Sequence, residues 1–290
     1  MKQSGAVFLA VGAAALYAVS SPVSKLLLEK LPPTLMASFL YLGAGLGLAI
    51  LGFLQRKKGT SAELHLTKAE LPYTLGMVLL DIAAPIFLMI GLTMTTAAHT
   101  SLLNNFEIVA TSVIALCIFK EKISKRLWLA ITLVTLSSIL LSVEDISSFS
   151  FSLGSVFVLC ACICWGFENN CTRMLSSKNP LEIVVIKGFG SGLGSLGIAL
   201  FLGEVFSDGI YILIALLLGF VSYGLSILLY IYAQRYLGAA KTSTYYAVSP
   251  FIGVLLSFLI FRELPNATFI LAFLIMLAGT YFASTDSKTD

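Results

Sequence analysis

Two carboxyl groups stand where such a group is costly. Asp81 and Glu107 each fall near the middle of a long apolar run, and an ionisable residue there faces a wet cavity or a partner rather than hydrocarbon. Glu107 belongs to a stripe at helical spacing, Thr100, Asn104, Glu107 and Thr111, whose side chains would share one face of a continuous helix. It lies about ten residues into its run, roughly 15 Å deep at about 1.5 Å per residue. The runs holding Asp81 and Glu107 are neighbours across a short turn. If both groups face one cavity, they form a like-charge pair that is costly with both ionised, which suits proton coupling or a cationic substrate group. A hydrogen-bonded pair that locks two helices is the structural alternative. Glu168 and Asn169 are adjacent in a later run and Lys187 lies in the next. Lys187 can pair with Glu168, bind a substrate anion, or reach back to the interface along its own stem.

These groups sit in a chain that is 58% hydrophobic and 11% charged over 290 residues, far from the usual quarter or so of charged residues in soluble domains. The composition is that of an integral membrane protein. Ten spans of roughly twenty residues consume about two thirds of it, which leaves no separate catalytic or nucleic-acid-binding domain. Cys160, Cys162, Cys164 and Cys171 crowd one span, and only His65 and His99 are present. Neither a metal site nor a disulfide framework is expected from them, and no enzyme chemistry. The apolar run after Lys2 has no convincing cleavage signature before Pro22 and reads as a retained span.

The chain states its plan twice. Ala97 to Glu121, moved by 142 positions, aligns without a gap on Ala239 to Glu263, with seven identities in twenty-five positions. The stripe of the first copy becomes Thr242, Tyr246, Ser249 and Gly253 in the second, and both copies close on Phe, a base and Glu. Glu121 and Glu263 at those helix ends read as structural or gating groups, because a carboxylate is unfavourable at the negative end of a helix dipole. A second offset of 148 brings Tyr17 onto Trp165, Ser20 onto Glu168, Ser21 onto Asn169 and Pro32 onto Pro180. The duplication therefore covers a half of the chain. Residues 1–143 form a first repeat of five spans, 144–150 a linker, and 151–290 a second repeat of five.

An odd number of spans per half forces the halves into opposite orientations, the inverted-topology plan of many secondary transporters. With the N-terminus inside, fourteen bases fall in inner segments, among them Arg56, Lys57, Lys58, Lys120, Lys122, Lys125 and Arg126, against Lys25, Lys30 and Arg262 outside. The bias places both termini in the cytoplasm. Gly43, Gly45 and Gly47 are echoed by Gly188, Gly190, Gly192 and Gly194. Inside apolar runs these are sites of close helix approach rather than a nucleotide loop. Pro22 and Pro250 interrupt helices in opposite halves and are candidate gating hinges.

The paired Phe-x-Glu endings, Ser249-Pro250-Phe251, the aromatic and small polar residues near the ends of the first and sixth spans, and the five-plus-five plan together resemble the EamA family of the drug/metabolite transporter superfamily. The resemblance runs from about Ala6 to Phe282. It implies an all-α, ten-helix integral membrane protein, two inverted five-helix repeats around a central cavity lined by the first, third, fourth, sixth, eighth and ninth spans. It also implies alternating-access transport of a small metabolite, an amino acid or related compound being exported, with nucleotide-sugar or sugar-phosphate exchange or a passive channel as alternatives. The expected site residues are Glu107, Asp81, Asn104, Tyr246, Ser249, Glu168, Asn169, Trp165, Tyr17 and Tyr223, with Tyr230 and Tyr245 as further aromatic candidates. Each aromatic has packing in the core or interfacial belt as its alternative. One departure stands out: where relatives carry a proline in both copies, position 108 is Ile and follows Glu107. The expected partners are the small-molecule substrate and the lipid of the plasma, or inner, membrane, with no nucleic acid and no cofactor; proton coupling and a homodimer are compatible with the sequence.

A topology map tests the inverted plan. Reporters fused after Lys58 or Arg126 are expected to report cytoplasm and one inserted within residues 144–150 the outside. A cytoplasmic signal from the 144–150 insertion breaks the five-plus-five arrangement.

Overall fold

A computed structural model of the chain describes residues 3–56, 64–118, 120, 123–145, 150–175, 177–206, 208–237 and 245–285. The first half contains α1 (Gln3–Ala18), α2 (Ser20–Leu27), α3 (Pro33–Arg56), α4 (Leu71–Met94), α5 (Ala97–Leu103), α6 (Phe106–Cys117) and α7 (Lys125–Ser142). A short antiparallel ribbon, β1 (Val143–Asp145) and β2 (Ser150–Phe151), with Val143 opposite Phe151, joins the halves. The linker is thus partly a strand pair, the one departure from an all-helical chain among the described residues. The second half contains α8 (Leu153–Leu175), α9 (Pro180–Phe201), α10 (Gly209–Gly219), a π-helical turn (Phe220–Leu225), α11 (Ser226–Leu237), α12 (Ser249–Phe261) and α13 (Ala267–Ser284).

Among the described residues, eight helical stretches are long and apolar enough to cross a membrane, and two shorter apolar helices, at Ser249–Phe261 and 267–283, follow. The expected ninth span is described only from Tyr245, so its opening Ala-Ala-x-Thr-Ser motif lies outside the described residues, as does Glu121. Helix starts carry their own caps. Thr96 accepts from His99 N–H, Ser124 from Leu127 N–H, Asn179 from Leu181 and Glu182 N–H, and Asn266 from Phe269 N–H, each satisfying donors that a helix leaves unpaired.

Three spans are broken rather than straight. Val19 separates α1 from α2 three residues before Pro22, where the missing proline N–H releases the Ala18 carbonyl, so the kink expected near Pro22 is present. Asn104 and Asn105 separate α5 from α6, and a turn at Ala247-Val248 precedes α12. The interruption expected at Pro250 is present in the same way: the turn at Ala247-Val248 lies just before it, and Pro250 stands in the first turn of α12, where no intrahelical bond from its nitrogen is needed. The two copies share the break but not the proline. They also share their ends: Lys120 and Arg262, matched by the repeat, both have φ 55, the left-handed conformation in which a chain leaves a helix.

Close pairs are α4 with α8, α3 with α9, α7 with α13, α1 with α11, and α5 with α12. Exchanging the two halves leaves this set of span pairs unchanged. Glycines carry the contacts. A methyl group on Gly43 would overlap the Leu216 carbonyl and one on Gly219 the Leu40 carbonyl; Gly45 and Gly188 face one another, and so do Gly91 and Gly154. Gly47, Gly190, Gly192 and Gly194 receive Phe220, Val78, Leu42 and Ile82, in keeping with the packing expected of these glycines.

Gly188→Leu is expected to destabilise the detergent-solubilised protein by about 1–3 kcal/mol or to abolish folding, as overpacking does. Gly197, which would meet nothing within 4 Å, is expected to accept Ala without loss. Thermal unfolding of both variants checks this, and equal melting temperatures would refute the packing role.

Candidate functional site

Three buried charged side chains from three helices meet at the centre. Lys187 Nζ of α9 lies 2.9 Å from Glu168 Oε1 of α8 and 3.2 Å from Asp81 Oδ2 of α4. The side chains are 9%, 2% and 0% exposed. The pairing of Glu168 with Lys187 is present, and Asp81 completes it. Lys187 neither reaches an interface nor stands open to an anion, because two carboxylates already enclose its ammonium. The expected Asp81–Glu107 pair is corrected in the same way: Asp81 takes Lys187 and the Tyr41 hydroxyl, which donates to Oδ1 at 2.9 Å, while Glu107 takes a different partner. Thr172 donates to Glu168 Oε1 one turn along α8.

Asn169, next to Glu168 on α8, donates through Nδ2 to Glu107 Oε1 at 2.6 Å and to Thr111 Oγ1 at 3.3 Å. Glu107 itself sits in the first turn of α6, where the helix dipole favours a carboxylate. The break behind it divides the expected stripe. Asn104 closes α5, whereas Glu107 and Thr111 belong to α6 and share Asn169. The Cys162 thiol faces the carbonyls of Leu103 and Asn104 at 3.6 and 3.9 Å, a weak donor set against acceptors that the break leaves open. Ser249, the repeat partner of Glu107, likewise lies in the first turn of its helix, α12.

Between the breaks is a small cavity of about 10 Å³, lined among others by Tyr17, Ser21, Ser101, Asn104, Ser249 and Gly253. It is about the size of one water. Its walls are polar: Ser101 Oγ, Asn104 Oδ1 and Ser249 Oγ are buried and make no hydrogen bond to the described residues. A chain of aromatic rings runs from this cavity to the charges. Tyr230 meets Tyr246 at 5.0 Å between centroids, Tyr246 meets Tyr17 at 5.9 Å, Tyr17 meets Tyr223 at 5.7 Å, and Tyr223 meets Tyr41 at 5.3 Å. The Trp165 indole donates to the Tyr41 hydroxyl at 3.5 Å, Ser20 to that of Tyr223 at 3.3 Å, and Ser226 and Tyr246 hydroxyls lie 3.4 Å apart. The π-helical turn gives Tyr223 its place in this chain. Ser222 and Ser226 hold that turn to α1 through the carbonyls of Leu16 and Ala13.

A larger cavity of about 490 Å³ opens at the end of the bundle where α2 and α12 finish, lined by Lys25, Thr95, Thr96, His99, Glu263 and Asn266 among others. Lys25 caps the end of α4, donating to Leu92 O at 2.6 Å and Thr95 O at 2.8 Å. Glu204 caps the start of α3 at the same end through the Thr34 and Leu35 N–H groups. Helices α2, α5 and α12 pack on one another and line both cavities. From Gly253 to Phe261 along α12 is about 12 Å at about 1.5 Å per residue.

The expected site residues fall into two groups joined by aromatics: Tyr17, Asn104 and Ser249 at the small cavity, and Asp81 and Glu168 at the ion cluster. Asn169 and Glu107 stand beside Glu168, while Tyr223, Tyr246 and Trp165 are links. Tyr245 is not one of the rings of this chain. Tyr41 and Ser101 were not expected. Tyr41 lies in a glycine-rich span that reads as packing, and its repeat position holds Phe189, so no pattern marks it.

The sequence model of the EamA-like transporter family matches residues 4–143 and 152–285. The chain belongs to that family, within the drug/metabolite transporter superfamily. It is also similar to an uncharacterized transporter of Methanothermobacter thermautotrophicus, 26% identical over 94% of this chain and 84% of the relative. A crystal structure covered over its whole length shares the fold with 99% of this chain at a TM-score of 0.68 and 16% identity. The family and the apolar helices make this chain an integral, multi-pass membrane transporter.

Proposed function

We propose that this EamA-family transporter is a secondary carrier that exports a small zwitterionic metabolite, an amino acid or a close relative, by alternating access across the plasma membrane. The observation that carries the reading is the small cavity whose Ser101, Asn104 and Ser249 oxygens have no hydrogen-bond partner among the described residues. Unpaired buried polar atoms are costly, and a polar ligand that supplies their hydrogen bonds recovers that cost. The start of α12 offers the positive end of a helix dipole to a carboxylate, and Glu107 at the start of α6 offers a counter-charge to an ammonium.

In this reading the structure is closed around the site on the vestibule side. Helices α2, α5 and α12 separate to join the two cavities, and their breaks at Val19, Asn104-Asn105 and Ala247-Val248 are where the motion is absorbed. The set of span pairs that survives exchange of the halves supports two equivalent five-span units, and an inverted relation between them lets the opposite end open by the same motion. Exchange of nucleotide sugars or sugar phosphates fits less well. The cation in the bundle centre, Lys187, is already held by two carboxylates, and no base among the described residues lines the small cavity.

Counterflow of radiolabelled amino acids in proteoliposomes tests the reading, with nucleosides and sugar phosphates in parallel. Saturable exchange of an amino acid is expected, and Glu107→Gln, which preserves shape, is expected to lower it by at least tenfold with normal insertion and folding. Flux without saturation or counterflow would establish a channel. Full activity of the Gln variant would return Glu107 to a structural role.

A further inference from the structure

The ion cluster does not balance. Asp81 and Glu168 bring two carboxylates to one ammonium, that of Lys187, at 3.2 and 2.9 Å. Their remaining donors are neutral, Tyr41 to Asp81 and Thr172 to Glu168. The other titratable groups facing the cluster are Tyr223 from the π-helical turn, Glu107 from α6, and Cys164 and Cys171 from α8. None adds positive charge, and Lys187 is the cation that acts on both Asp81 and Glu107. A net negative charge in the bundle centre is costly, because removal of a charge from water exceeds what an unpaired group recovers.

We infer that Asp81, Glu168 and Lys187 form a proton-binding site that holds one proton on one or other of its two carboxyl groups. Binding adds a proton to one carboxylate oxygen and release returns it to water, so the cluster alternates between a neutral form and a singly negative one. A proton suits the geometry better than a metal cation, since the ammonium already fills the gap between the carboxylates. The site reaches the small cavity through Asp81, hydrogen-bonded to Tyr41, which begins the ring chain to Tyr17; on the other side Glu168 is next in sequence to Asn169, which holds Glu107, whose backbone N–H bonds to the carbonyl of the cavity residue Asn104. That this proton is the counter-ion of transport rests on the function proposed above; its presence does not.

The proton count can be read without a substrate. Infrared difference spectra of the purified protein at neutral pH report protonated carboxyl groups through their carbonyl stretch. Glu107 feels both Glu168 and Lys187, so every protein compared, the wild-type cluster included, carries Glu107→Gln and the differences belong to the cluster. Relative to wild type, Asp81→Asn and Glu168→Gln are each expected to remove one carbonyl band, because one carboxylate and one ammonium need no proton. Lys187→Met is expected to raise the cluster's band about twofold, since two carboxyls without the ammonium are both neutral. The two neutralising variants reach the same loss independently, so misfolding of one leaves the other. Spectra unchanged in Asp81→Asn and Glu168→Gln would show both carboxyls ionised in wild type and overturn the site, whether or not counterflow succeeds. With the band confirmed, substrate accumulation driven by a pH gradient is expected to fall by a larger factor than counterflow in Glu168→Gln. Undiminished accumulation would overturn the coupling role and leave the transport reading standing.

Discussion

The attraction of one buried ammonium for two buried carboxylates is the constraint on which the centre of this molecule depends. Lys187 draws α4, α8 and α9 to a common point through Asp81 and Glu168. Breaking a buried ion pair outright typically costs about 3–5 kcal/mol, because the survivor is left charged and dry; here loss of one carboxylate still leaves Lys187 paired with the other. The positions of Tyr41 and of α8 follow from it, and with α8 comes Asn169, the partner of Glu107. A pair of adjacent residues on one helix thus faces two ways, one side chain to the charges and the next to the broken helix.

Glycine makes that convergence geometrically possible. Gly45 against Gly188 and Gly91 against Gly154 let α3 meet α9 and α4 meet α8 with backbone close to backbone, and this close approach is what brings side chains from α4, α8 and α9 within ion-pair distance. In lipid, where apolar surface gives helices little reason to prefer each other over acyl chains, packing and hydrogen bonding must do this. The helix breaks sit elsewhere, in α1/α2, α5/α6 and before α12, around the small polar cavity. Glycine contacts reach the broken spans too, Gly253 on Ser101 and Gly166 on Ala110, so close packing and helix breaks meet around the cavity.

The apolar helices, and the place of Glu107 inside one of them, were legible because bilayer length and apolar composition leave a signal that does not need tertiary contacts. Glycine spacing in α3 and α9 was legible for the same reason. The break at Asn104-Asn105 was not, since the copy without proline has no local breaker and the stripe reads equally well through an unbroken helix. The π-helical turn at Phe220–Leu225 has no composition of its own either. Pro250 marked a break but not its exact place, as a proline reads alike at a helix start and at a kink. The partners of Asp81 were hidden because pairing across 106 positions, to Lys187, is decided by how α4 packs on α9 and not by either segment.

The central claim is that the polar cavity at Ser101, Asn104 and Ser249 is reached from one side of the membrane at a time. Thiol accessibility measures this most directly. Ser249→Cys, in a background with the five native cysteines replaced, is treated with a membrane-impermeant maleimide in right-side-out and inside-out vesicles, with and without the amino acid that gives counterflow. Labelling is expected from both sides, and substrate is expected to slow it in both orientations. Labelling from a single side that substrate leaves unchanged would contradict alternating access at this site.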